Sequence, residues 1–145
     1  MREKNLYQSV DRKLPTEIHR QSMTGASTSC RGTVDRYYDG PCGDLWVEYK
    51  SLDHMPRSGL VGGVNASKKG CYTPQQYDWM LRRYNNSLSL PHGPNVVGIV
   101  GLPNRTAVIQ RTPTEWCEGS PTSAAVTIQE IANWIQERCG GSSKR

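Results

Sequence analysis

Residues 32–52, GTVDRYYDGPCGDLWVEYKSL, read as two extended runs joined by a turn. Gly40, Pro41 and Gly43 interrupt the pattern, so "TVDRYYD" and "DLWVEYKSL" form a β-hairpin with a slightly long turn. Alternation along the second run sends Leu45, Val47 and Tyr49 to one face and Asp44, Trp46, Glu48 and Lys50 to the other. A strand that otherwise reads as buried thus carries a carboxylate and an ammonium. Burying such groups costs several kcal/mol unless they are paired, hydrogen-bonded or bound to a metal. The polar face of this strand is therefore where chemistry is to be sought.

Outward from the hairpin, "REKNLYQSVDRKL" places Leu6, Val10 and Leu14 at helical spacing and stops at Pro15. "EIHRQSM" alternates weakly as a strand, and "TGASTSCRG" is small, polar and turn-prone. The segment from Ser51 to Cys71 is rich in glycine, carries Lys68 and Lys69, and has little periodicity, which predicts a mobile basic loop able to close over a ligand. "TPQQYDWMLRRYNN" begins with a Thr cap and a Pro at the first helical position, with Tyr77, Met80, Leu81 and Tyr84 as its apolar stripe. "NVVGIVG" and "RTAVIQR" follow as strands, then "SAAVTIQEIANWIQERC" as a closing helix with Ile128, Ile131 and Ile135 inward. This order predicts an α/β domain, a mixed sheet flanked by helices, over residues 1–139, with residues 140–145 as a disordered tail.

The chain has 145 residues and a formal net charge of +5, which suits one domain and a polyanionic partner, nucleic acid first among them. No apolar run reaches the roughly 20 residues of a membrane helix, and the N-terminal stretch lacks the apolar centre of a signal peptide. Five cysteines without CxxC or zinc-ligand spacing read as free thiols in a reducing, cytoplasmic setting. His19, His54 and His92 lie too far apart in sequence for a zinc helix.

Hydrolysis of a phosphodiester builds negative charge, which a divalent ion held by carboxylates stabilises. Mg2+ takes oxygen ligands at about 2.0–2.1 Å, so the ligating side chains must converge. Asp44 and Glu48 stand about 13 Å apart along one strand, at roughly 3.4 Å per residue. Asp35, on the preceding strand, can lie beside Glu48 at the lateral spacing of about 4.7–4.9 Å. Asp35 and Glu48 are therefore the expected ligands, with Asp44 a turn or edge carboxylate. Lys50, on the same face, is placed to serve an attacking water or to neutralise phosphate charge; its alternative is a surface lysine paired with Glu48.

These elements resemble the PD-(D/E)XK, or restriction-endonuclease-like, nucleases over most of the chain, from the first helix to "NVVGIVG". "GTVD" is similar to the Pro-Asp element, with Val34 where Pro is usual; "EYK" matches Glu-x-Lys; "YTPQQYDWM" resembles the Thr-Pro-x-Gln helix of the VRR-NUC and junction-resolvase-like branches. The resemblance implies a Mg2+-dependent DNA endonuclease, with Mn2+ as the alternative ion, acting on branched or structured DNA as a phage enzyme in the host cytoplasm would. It leaves a homodimer open. It also implies that Gln76, rather than Gln75, points to the site and bonds Lys50, the water or the phosphate; that the Tyr49 carbonyl is an oxygen ligand; and that Glu3, or else Glu17, completes the acidic set. Arg20, Arg31, Arg36, Lys68, Lys69, Arg82 and Arg83 are the candidate phosphate contacts, with a solvated helix face as the alternative for the last two. Trp46, Trp79, Trp116 and Trp134 read as core. The competing function is a nucleic-acid-binding module that keeps the fold without turnover.

Overall fold

A computed structural model of the chain describes residues 3–22 and 34–141. Its elements are α1 (Glu3–Asp11), β1 (His19–Ser22), β2 (Arg36–Gly40), β3 (Gly43–Ser51), β4 (Leu60–Val61), α2 (Pro74–Asn86), β5 (Val96–Gly101), β6 (Thr106–Gln110), α3 (Pro113–Glu118), β7 (Ser120–Pro121), β8 (Val126–Thr127) and α4 (Ile128–Gly140). Six strands make one mixed sheet in the order β1-β2-β3-β5-β6-β8, in which β3 and β5 are parallel and the other neighbours antiparallel. The expected mixed sheet flanked by helices is what forms.

The alternation in β3 divides the molecule into two layers. Leu45, Val47 and Tyr49 join Val97, Ile99, Ala107 and Ile109 under α1 and α4, whose Leu6, Val10, Ile131 and Ile135 are fully buried. On the opposite face Val96 packs with Tyr72, Met80 of α2 and Trp116 of α3. Glu48 lies on this second face, at the edge of the smaller apolar cluster, because its strand neighbours Val47 and Tyr49 belong to the larger one.

Three helices start in the same way. Thr73, Thr112 and Thr127 each accept a hydrogen bond from the backbone of the residue three positions on, and the side chains of Gln76, Glu115 and Glu130 bond back. This box starts α4 at Ile128, later than a helix running from Ser123, because residues 122–124 form a 3-10 turn and Val126–Thr127 pair with β6. It also creates α3 within a stretch the periodicity leaves unassigned.

The loop from Ser51 to Cys71 differs from a free lid. Leu60–Val61 pair with Ser120–Pro121, and Val64 bridges Tyr72. The anchor is the buried Gln110 amide: Oε1 accepts from the Tyr72 hydroxyl at 2.6 Å, and Nε2 donates to the Val61 carbonyl and Ser120 Oγ, both at 3.0 Å. Buried polar groups hold their partners because an unsatisfied one costs about 1–3 kcal/mol. Lys68 and Lys69 remain on the exposed part of the loop.

Gly98 makes this arrangement fit. It pairs with Glu48 across the parallel register, and a Cβ there would lie 1.8 Å from the Tyr72 hydroxyl. Gly98→Ala is expected to displace Tyr72, break its bond to Gln110 and destabilise the fold by about 2–4 kcal/mol. Urea titration checks this, with a lower midpoint at an unchanged slope.

Candidate active site

Arg36 pairs with Val47 in the β2–β3 ladder, so the residue before Arg36 arrives beside Glu48. That residue is Asp35, whose Oδ2 accepts from the Tyr49 backbone N–H at 3.3 Å. Glu48 is 1 % exposed, whereas Lys50 keeps 14 % of its side chain accessible. The Lys50 ammonium lies 3.2 Å from Glu48 Oε2, and Gln76 Nε2 donates to the same oxygen at 2.9 Å. Oε1 of Glu48 is buried and accepts no hydrogen bond among the described residues.

Helix capping places Gln76. Its Oε1 accepts from Thr73 N at 3.0 Å while its backbone N donates to Thr73 Oγ1 at 3.1 Å, which turns Nε2 toward the sheet. Gln76 therefore reaches the site as expected, but its protein partner is Glu48 and not Lys50. Gln75 is exposed.

Burial raises the Glu48 carboxyl well above the ordinary range; the Asp35 charge raises it further, and Lys50 offsets part of this. Asp35 is also raised by burial, with opposing contributions from Lys50, a hydrogen bond with Glu48 and the Tyr49 N–H. The two carboxyls therefore lie close enough for each to disfavour charge on the other. A cation between them would offset the charge of both. The buried Oε1 without a donor, the neighbouring carboxylate and the all-oxygen donor set fit a hard divalent ion. Among the described residues no group of three or more His, Cys, Asp or Glu side chains converges, so any further ligands would have to come from backbone or water.

Glu3, in the first turn of α1, lies near enough for its charge to raise Asp35 further. Glu17 is exposed, and its Oε2 lies 3.5 Å from where a Cβ on Gly140 would stand, at the far end of α4. Tyr49 contributes backbone to the site while its hydroxyl bonds Tyr38 in the opposite layer at 2.8 Å. Asp44 stands apart: Oδ1 accepts from Asn95 Nδ2 at 2.9 Å and Oδ2 from the Tyr37 hydroxyl at 3.1 Å.

The basic candidates divide. Arg20 donates to the carbonyls of Asp11, Pro15 and Ile18, closing the end of α1 and the turn that follows, and Arg36 pairs with Asp11 beneath the Tyr7 ring. Both guanidinium groups thus bond oxygens of the chain itself. Arg83 lies over the rings of Trp46 and Trp79. Arg82 and Lys68 are exposed; Lys69 meets Asp53 at 2.7 Å in an exposed pair, an interaction weak enough to exchange for another anion. Arg31 lies outside the described residues. Sequence reasoning missed Tyr72 and Gln110, which support the Glu48 floor through a contact 38 positions apart in the chain.

No protein-family model and no curated protein matches this sequence. Among solved structures the chain is similar to Hjc of Archaeoglobus fulgidus, a Holliday junction resolvase from an archaeal hyperthermophile, with a TM-score of 0.54 over 92 % of this chain and 97 % of that one. The fold is restriction-endonuclease-like. At 14 % identity the likeness is one of architecture, and the restriction-endonuclease-like fold accounts for the mixed sheet and its flanking helices. No helix among the described residues is long and apolar enough to cross a membrane.

Proposed function

We propose that this chain is a Mg2+-dependent endonuclease that hydrolyses phosphodiester bonds in DNA, with branched DNA as its substrate class. The observation that carries the reading is the buried Glu48 carboxylate: one oxygen is fixed by Gln76 and Lys50, the other accepts nothing, and Asp35 stands beside it. Asp35 and Glu48 would hold the ion, with the Tyr49 carbonyl as a further oxygen. When bound, the ion offsets charge on the phosphate and lowers the pKa of water.

The protein groups supply the positioning. Gln76 holds Glu48 Oε2 so that Oε1 keeps one direction, since a carboxylate with both oxygens free would turn. Lys50, partly accessible, presents its ammonium toward the phosphate and the attacking water. Glu3 adds negative charge beside Asp35, which strengthens attraction for a cation. Exposed Lys68, Lys69 and Arg82 provide phosphate contacts that give affinity without reading sequence. The branched substrate class rests on the likeness to Hjc, described as a Holliday junction resolvase. Purified protein incubated with supercoiled plasmid and with four-way junctions should cut in Mg2+ and not in EDTA, with junctions preferred. Absence of metal-dependent cleavage on every DNA form would refute the proposal.

A further inference from the structure

The face of the sheet that bears Asp35 and Glu48 continues, two residues along each strand, into Tyr37 and Trp46, which are register partners. Two residues of strand span roughly 7 Å, about one extended nucleotide. The Tyr37 and Trp46 ring centroids are 4.4 Å apart, Trp79 stands edge-on to Trp46 at 5.4 Å, and Arg83 lies over both indoles at 5.6 and 5.5 Å. Tyr38, Tyr49, Tyr72 and Trp116 are fully buried, but Tyr37, Trp46 and Trp79 each keep part of their surface open. Open rings next to the reacting centre call for a ligand with a flat apolar face.

Charge decides which part of DNA fits. Asp39 and Asp44 face each other across the hairpin just beyond these rings, and Asp44 accepts the Tyr37 hydroxyl. A phosphate there would meet two carboxylates, whereas a neutral base would not. A base in a continuous duplex has both faces covered by its neighbours, so only an unpaired or unstacked nucleotide can use the surface.

We propose that Tyr37, backed by Trp46 and held by Asp44, is a stacking platform for an unpaired base adjoining the scissile phosphate. The proposal rests on the nuclease reading above and names what selects its substrate: an unstacked nucleotide at a branch or in a single strand. Base–aromatic stacks contribute enough for their loss to weaken binding about ten-fold or more.

The test first maps the cut on a forked DNA with wild-type protein in Mg2+, then places 2-aminopurine beside the cut phosphate and measures its fluorescence and the affinity in EDTA. The expected result is quenching by wild type and by Tyr37→Phe, with quenching lost in Tyr37→Ala. Forked-DNA affinity should then fall about ten-fold in Tyr37→Ala while duplex affinity is unchanged. If Tyr37→Ala does not fold, Tyr37→Leu gives the same comparison. Equal fluorescence with Tyr and Leu or Ala, in a protein that cuts, overturns the platform and leaves the nuclease standing. If the protein does not cut, the probe is walked through the unpaired arm of the fork; Tyr37-dependent quenching there keeps the platform and removes the nuclease, and its absence overturns both.

Discussion

Asp35→Asn should lower Mg2+-dependent DNA cleavage on the order of 10^3-fold and leave DNA binding unchanged or tighter. The amide removes a negative charge that faces the phosphate, which explains the retained affinity, and withdraws an anionic oxygen from the proposed ion, which explains the loss of rate. Its fold should survive, because an Asn at this position still offers an oxygen to the Tyr49 N–H. Asp44→Asn is the control. Both Asp44 oxygens are already engaged by Asn95 and Tyr37, four residues along β3 from Glu48, and an Asn there can still bond the Tyr37 hydroxyl, so the substitution costs about 1 kcal/mol per weakened bond and leaves the cleavage rate at saturating DNA little changed. Cleavage rates and DNA affinities of the two variants, with circular dichroism to confirm folding, check the contrast. A dead Asp44→Asn beside an active Asp35→Asn would place the ion at the other end of the strand.

Glu48→Gln should abolish cleavage and yet raise the melting temperature of the metal-free protein. The folded-state pKa of Glu48 lies above its unfolded value of 4.5, so the native state binds more protons than the unfolded chain once the pH passes that value. Stability from this group is fully present below pH 4.5 and is lost as the pH rises through the raised folded pKa. Asp35 acts in the same sense, from 3.8 upward. The glutamine has no charge to bury, and its oxygen can still accept from Gln76, so the variant's advantage is absent below pH 4.5 and grows as the pH rises through the raised folded pKa. Each kcal/mol gained moves the midpoint by roughly 2–4 °C in a chain of this size. Mg2+ should reverse the order, stabilising wild type and leaving Glu48→Gln unmoved. Thermal melts at several pH values, in EDTA and in Mg2+, check this; an advantage of the variant in EDTA that does not grow with rising pH contradicts a carboxylate held against its solvation.

Much of this site was legible because it is local. The β2–β3 register follows from Gly40, Pro41 and Gly43, and period-two alternation alone separates Glu48 from Tyr49. Thr73 and Gln76 announce the helix that brings the amide to Glu48. The same signature was present in Thr112–Glu115 and Thr127–Glu130, so α3 and the true start of α4 could have been read from their caps; hydrophobic periodicity misses a six-residue helix. Other features had no local signal. Arg36 finds Asp11 from 25 positions away, and Gln110 gathers Tyr72, Val61 and Ser120 from three separate segments. Such partners are set by the folded sheet, and the charge of an arginine does not announce whether it meets phosphate or a carboxylate of its own chain. The tryptophans show the same limit: Trp116 is core, whereas Trp46 and Trp79 stay partly open beside the carboxylates.

Asp35 and Glu48 together are proposed to hold one divalent ion at the point of cleavage. Titration calorimetry of Mn2+ into wild type and into Glu48→Gln decides this. The expected result is one ion bound by wild type, with affinity weakened at least ten-fold in the variant. Equal Mn2+ affinity in the two proteins would rule it out.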